Sequence, residues 1–198
     1  MNHNFSLKEE EYGNLIIGVD EVGRGALVGP VIAAAIIYDS KFPSGIRDSK
    51  KISKKKREHI SDILTKDFKF AIGVGELHEI EEHNILGGTL IAMKRAVDSI
   101  ECNPDMVLVD GNKIPKWEYN SEAIVKGDNK SVSIAAASIV AKVARDKMIT
   151  EMHSEYPEYG WDKNAGYGTK QHMEAIEKYG ITPYHRRGFA PIRRIIEK

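Results

Sequence analysis

Three apolar runs of this chain close on acid. "NLIIGVD" ends at Asp20 with Glu21 directly after it, "MVLVDG" carries Asp110, and "EAIVKGD" carries Asp128. Adjacent carboxylates at the end of an apolar strand repel one another and lose hydration, so left alone they raise their own pKa values or weaken the fold. One such aspartate is an ordinary turn residue or helix cap. Three runs with the same ending, at the strand ends where ligands gather in open α/β sheets, argue for a shared site. Cys102 is the sole cysteine, and His78 and His83 lie five apart, off a common helical face, so the donors on offer are carboxylate oxygens. Such a set selects Mg²⁺ or Mn²⁺ over zinc. A pair of divalent cations about 4 Å apart would cancel the repulsion, and is the usual device for in-line phosphodiester displacement.

The elements that must position these acids follow from local pattern. "NLIIGVD" and "GPVIAAAIIY" read as the two strands of a hairpin, joined by a glycine-rich turn in which Arg24 stands between Gly23 and Gly25. Side chains alternate along a regular strand, so Asp20 and Glu21 share a site only if pairing lapses there, as the glycines suggest. Ser53 caps a helix whose Ile60, Ile63 and Leu64 recur at helical spacing, leaving its lysines exposed. "FKFAIGVGE" reads as a third strand. Residues 78–100 form a long helix, weakened by Gly87 and Gly88. The two acid-ended strands come next, then a long alanine- and serine-rich helix over 130–157 able to lie close to a sheet, and a final amphipathic helix ending at Gly180. "APIRRIIEK" is a short amphipathic stretch expected to pack on the domain. The order predicts an α/β protein with a mixed central sheet flanked by helices and a small C-terminal helical extension. A single domain over 14–198 is expected, with residues 1–13 as a tail and about 150–198 as its helical part.

Lysine plus arginine and aspartate plus glutamate both number 29, so net charge makes no case for a polyanionic partner and its distribution must. The densest basic run is "RDSKKISKKKR" at 47–57, with pairs at Arg186–Arg187 and Arg193–Arg194. A lone lysine run is more often a solvated face than a ligand site. The longest apolar run, "VIAAAIIY", is far short of a membrane span, and the amino-terminal residues lack the charged and apolar regions of a leader. With one cysteine, the expected setting is the reducing cytoplasm, away from any membrane.

The segments "GVDEVGRGALVGPV", "DSKK", "LVDGNK", "KGDNKSVSIAAASIVAKVARD", "YGWDKNAGYGT" and "HRRGFAP" occur in one order over residues 14–195. Together they resemble ribonuclease HII, the type 2 ribonuclease H family; the first and fourth carry most of the specificity. The resemblance implies a ribonuclease H-like fold and a Mg²⁺ or Mn²⁺ requirement. It also implies hydrolysis of RNA in RNA–DNA hybrids and cleavage on the 5′ side of ribonucleotides embedded in duplex DNA, leaving 5′-phosphate and 3′-hydroxyl ends. It places the catalytic acids at Asp20, Glu21, Asp110 and Asp128, the glycine–arginine–glycine motif at Gly23, Arg24 and Gly25, and the substrate-sensing tyrosine at Tyr167. Given a nuclease, Lys50, Lys51, Arg186 and Arg187 become candidates for phosphate contacts. The chain departs from the family pattern at Ala26, where many relatives carry proline, and at Gly188, where many carry serine; the first should loosen the loop and the second removes a hydroxyl near a presumed DNA contact. A monomer is expected, with protein partners left open. Two other readings stand beside this one: a non-catalytic module that binds hybrids by shape, which would have no need to crowd four carboxylates against a polyanion, and another metal nuclease of the same fold, such as a junction resolvase.

Overall fold

A computed structural model describes residues 8–46 and 52–197. The apolar runs form strands β1 (Ile16–Val22), β2 (Val31–Ile37), β3 (Phe70–Gly75), β4 (Met106–Asp110) and β5 (Ser121–Ile124). They build a mixed sheet in the order β3-β2-β1-β4-β5. The hairpin β1–β2 and the pair β2–β3 are antiparallel, while β1–β4 and β4–β5 are parallel. The parallel pairing of β1, β4 and β5 therefore places their carboxyl ends along one edge.

Helices cover both faces. On one face α1 (Lys54–Asp67) and α3 (Val132–Glu155) pack Ile60, Leu64, Ala136 and Ile139 against Ile32, Ala34 and Ile36 of β2. On the other, α2 (Leu77–Asp98) lays Ile80, Ala92, Met93 and Ala96 on Ile17, Val19, Ala33 and Ala35. The small residues are what allow this closeness: a Cβ on Gly18 would lie 2.2 Å from the Ser133 carbonyl carbon at the start of α3. α1 begins as its sequence predicts, the Ser53 hydroxyl accepting from the Lys56 amide. The weak point of α2 falls at Asn84 rather than at the glycines. Asn84 adopts φ +59° and its Oδ1 accepts from the amides of Leu86 and Gly87, so it ends one helical segment and caps the next. Gly88 serves contact instead, its carbonyl lying 2.2 Å from where a Cβ on Gly75 of β3 would be.

The last quarter of the chain forms α4 (Trp161–Asn164), α5 (Lys170–Tyr179) and α6 (Ala190–Ile196). Trp161, Tyr159, Ile176 and Ile192 bury against Leu27 and Val28, so this extension clasps the turn that follows β1. Ile192 is fully buried, and "APIRRII" thus packs on the body of the protein. Residues ahead of position 14 take part as well: Glu9 is buried and its Oε1 accepts from the Ser133 amide and hydroxyl at the amino end of α3.

Candidate active site

Asp20, Glu21 and Asp110 converge, each offering a carboxylate oxygen within 4.8 Å of the others. Among the described residues this is the one place where three side chains able to ligate a metal meet. Pairing does not lapse along the hairpin, contrary to the expectation from Gly23 and Gly25; the β1–β2 ladder runs through Asp20↔Ala34, Glu21↔Ala33 and Val22↔Ile32. What ends is the other ladder, whose last partners are Val19↔Val109. Asp110, the last residue of β4, follows directly on that final pair, as Asp20 does on β1. The Glu21 amide donates to Asp20 Oδ1 at 2.7 Å, turning that carboxylate over the strand end towards Glu21. Asp110 is held in turn by the Gly127 amide, 2.6 Å from its Oδ1.

Asp128 does not end a strand. β5 stops at Ile124, and Asp128 sits on the one-turn 3₁₀ helix Gly127–Asn129 behind a left-handed Lys126. The charged, glycine-containing "VKGDNK" breaks the apolar alternation that a strand needs, so the ladder does not reach the acid. The carboxylate nevertheless lines the same cleft as the other three, a space of about 410 Å³. Asn129 Nδ2 donates to its Oδ1 at 2.7 Å.

Electrostatics show what this arrangement calls for. Burial pushes Asp20 well above the usual carboxylate range, and the charges of Glu21 and Asp110 push it further. Burial also raises Glu21; Arg24, whose Nη1 donates to Glu21 Oε1 at 3.3 Å, opposes that rise and Asp110 adds to it. Acids held in this state need cations, and an all-oxygen donor set fits hard divalent ions such as Mg²⁺ or Mn²⁺.

Gly23, Arg24, Gly25 and Tyr167 line the same cleft. Gly23 has φ +92°, and a Cβ there would lie 2.1 Å from Arg145 Nε, so only glycine fits. The amide of Ala26 closes the turn on the Gly23 carbonyl at 3.3 Å, a bond that proline could not make; alanine thus contributes a restraint of its own. Arg24 is exposed, and Tyr167 presents its ring to solvent at 40% accessibility.

Arg186 is a correction. Rather than meeting phosphate, its guanidinium is buried, with Nε donating to the Gly29 carbonyl at 2.8 Å and Nη1 to the Arg24 carbonyl at 3.0 Å. It holds the glycine loop from beneath. Arg187 is exposed, as a phosphate contact would require. At Gly188 nothing lies within 4 Å of where a Cβ would be, so the missing hydroxyl leaves no gap in the packing. Lys50 and Lys51 lie outside the described residues.

Three contributors went unnoticed in the sequence: Ser138, Lys142 and Arg145, all on α3. Ser138 and Lys142 line the cleft, and the Ser138 hydroxyl bonds to Asp20. Arg145 is fully buried and bridges two loops, Nη1 donating to the Ala165 carbonyl at 2.9 Å and Nη2 to that of Val28 at 3.1 Å. Their spacing of four and then three residues puts them on one helical face, a signal that was present in "SIVAKVAR". Lys142 Nζ lies 2.6 Å from Asp146, which also meets Arg57 at 3.8 Å, so a chain of charges links the cleft to the basic start of α1.

The mixed sheet and the carboxylates at its edge together define a class of protein, the metal-dependent phosphodiester hydrolases. Comparison with known proteins narrows it. The family model for ribonuclease HII matches residues 17–192. The chain is 52% identical over 179 residues to the ribonuclease HII of Ehrlichia chaffeensis, covering 89% of this chain and 86% of that one. It is 49% identical over 190 residues to that of Wolbachia pipientis wMel, covering 95% and 96%. Among solved structures, ribonuclease H2 from Pyrococcus horikoshii superposes with a TM-score of 0.78 at 27% identity, covering 93% of this chain and 98% of that one. A ribonuclease HIII solved in complex with Mn²⁺ superposes at 0.68 with 18% identity, over 92% of this chain and 69% of that one, and so shares the fold. The chain belongs to the ribonuclease HII family: it is a divalent-metal-dependent endoribonuclease acting on RNA–DNA hybrids. Among the described residues no helix is long and apolar enough to cross a membrane.

Proposed function

We propose that this enzyme, beyond hydrolysing the RNA strand of hybrids, cuts on the 5′ side of single ribonucleotides embedded in duplex DNA, leaving 5′-phosphate and 3′-hydroxyl ends. The supporting observation is the cleft itself: the three carboxylates within 4.8 Å share it with the glycine loop and an exposed tyrosine. In this reading Asp20, Glu21, Asp110 and Asp128 would hold the cations between them. Two divalent cations, when bound, supply activation of the attacking water and neutralisation of charge on the leaving 3′-oxygen. Mg²⁺ and Mn²⁺ both suit the donors.

The chain's own groups do the rest. Arg24 favours the ionised form of Glu21 and orients it, and the Asp20 carboxylate is kept in place by the Glu21 amide and Ser138. The 2′-hydroxyl, donor and acceptor at once, is what separates RNA from DNA at a given sugar. Backbone groups at Gly23 to Gly25 meet it, because residues without a Cβ allow close approach to the ribose. Tyr167 stacks on the adjoining sugar and bonds the 2′-oxygen. Arg187, Lys50, Lys51 and the exposed Lys54, Lys55 and Lys56 of α1 contact phosphates, which positions the duplex without reading its sequence. The enzyme works as a cytoplasmic monomer. The test is incubation with Mg²⁺ and a duplex carrying one ribonucleotide beside an all-DNA control. A single cut 5′ of the ribonucleotide is expected; no cut there, with hybrid still degraded, would overturn the embedded-ribonucleotide reading.

A further inference from the structure

Tyr167 combines an open side chain with a tightly held backbone. Its amide donates to the Asn164 carbonyl at 2.9 Å, and its own carbonyl accepts twice, from the Thr169 amide at 2.8 Å and from His172 Nδ1 at 2.9 Å. His172 is fully buried on α5, and its neighbours determine which nitrogen carries its proton. The Trp161 indole can only donate, and it does so to His172 Nε2 at 2.9 Å. Nε2 therefore carries a lone pair, and the proton sits on Nδ1, aimed at the Tyr167 carbonyl. The next ring repeats this logic. The Thr182 amide donates to His185 Nδ1 at 2.9 Å, with the Thr182 hydroxyl also 2.9 Å from it, which leaves the His185 proton on Nε2; that nitrogen lies 3.3 Å from His172 Nε2, whose one lone pair the Trp161 indole already takes. The donors Trp161 and His172 therefore point the same way, and the series ends on the peptide that carries the exposed ring.

We propose that His172 is a positioning residue for ribonucleotide recognition. Its Nδ1 proton fixes the Tyr167 peptide and so aims the ring across Gly25, where a Cβ would lie 3.6 Å from Tyr167 Cε1. The inference rests on the reading of Tyr167 as the aromatic that senses the ribose, and adds what holds it. A ring that must meet a sugar oxygen gains from this, since a displacement of about 1 Å can cost on the order of 100-fold in rate.

The test compares kcat/KM on a single-ribonucleotide duplex with that on a continuous hybrid, for the full chain and for Tyr167→Ala, His172→Asn and His172→Gln. Asparagine places an amide nitrogen where Nδ1 was; glutamine places one where Nε2 was. Tyr167→Ala and His172→Gln should each lose roughly 10-fold or more of the single-ribonucleotide-to-hybrid ratio, and His172→Asn should retain it to within about threefold. A role in folding alone would move both histidine variants together, so equal ratios for them, with Tyr167→Ala reduced, would overturn the proposal. An unchanged ratio in Tyr167→Ala would instead remove the reading of Tyr167 itself, and the proposal with it. Should the variants fail to fold, ¹⁵N spectra of the wild-type imidazoles decide the matter: a proton on His172 Nδ1 is expected, and one on Nε2 would refute the relay.

Discussion

Asp20 is a buried carboxylate set beside two others, Glu21 and Asp110. Its folded-state pKa is raised by burial first and by Glu21 and Asp110 next, so the folded apoprotein holds that proton more tightly than the unfolded chain does. Stability from this group is present below the ordinary aspartate pKa and is lost as pH rises through the raised folded value. Asp20→Asn keeps Oδ1 for the Glu21 amide while removing the charge. The variant apoprotein should therefore unfold at a higher temperature than wild type at neutral pH, and the gap should close in acid. Cation binding should reverse the ranking, because only wild type gains from saturating Mg²⁺, by about 2.7 kcal/mol at 100 times Kd. Melting curves against pH, with and without Mg²⁺, check both parts. Near-wild-type cleavage by Asp20→Asn would remove Asp20 from the metal site.

Among the elements, the two basic segments separate by burial. The Lys54–Lys56 turn of α1 is exposed and linked to the cleft through Arg57 and Asp146, whereas Arg186 lies under the glycine loop. Replacing Lys54, Lys55 and Lys56 by alanine should leave the melting temperature in place and flatten the dependence of log Kobs on log salt by about 0.9 for each phosphate no longer neutralised. Arg186→Met should do the opposite. It leaves the Gly29 carbonyl, in a buried bond, without its donor, at about 1–3 kcal/mol, and releases the partly buried Arg24 carbonyl, while the salt slope should hold. Binding isotherms at several salt concentrations, beside thermal melts, distinguish the two. An unmoved slope in the triple-lysine variant would return the run to a solvated helix face.

For the whole molecule, the aromatic and histidine cluster ties the extension to the nuclease sheet, and it should govern acid stability. Burial, with His172 adjacent, lowers His185 to about 4, and burial lowers His172 as well. A histidine depressed in the folded state takes up its proton more readily when unfolded. Its contribution is therefore complete above the unfolded pKa near 6.5 and declines as pH falls towards about 4. Thr182, the donor to His185 Nδ1, does not titrate, and His172 is the charged neighbour that lowers His185 further. Compared with His185→Gln, which has no such titration, wild type should lose stability progressively between pH 6.5 and 4. Urea unfolding across that range measures it, and parallel curves for the two proteins would exclude the pair as the acid-sensitive element.

Local pattern was enough to reach strands β1 to β5, the capped and amphipathic helices, and the grouping of Asp20, Glu21, Asp110 and Asp128. These depend on periodicities and turn chemistry that act within a few residues. How Asp20 and Glu21 meet required the folded sheet, because it turns on where the β4 ladder ends rather than on anything in "GVDEV". Folding also moved Asp128 from a strand end to a 3₁₀ turn, and Arg186 from the surface to the interior. A guanidinium is satisfied equally by phosphate and by backbone carbonyls, and the carbonyl that takes Arg186 Nε belongs to Gly29, 157 residues away. The proton positions on His172 and His185 are of the same kind. They are set by Trp161 and by Thr182, brought to those rings by the folding of the carboxyl-terminal extension around the turn after β1.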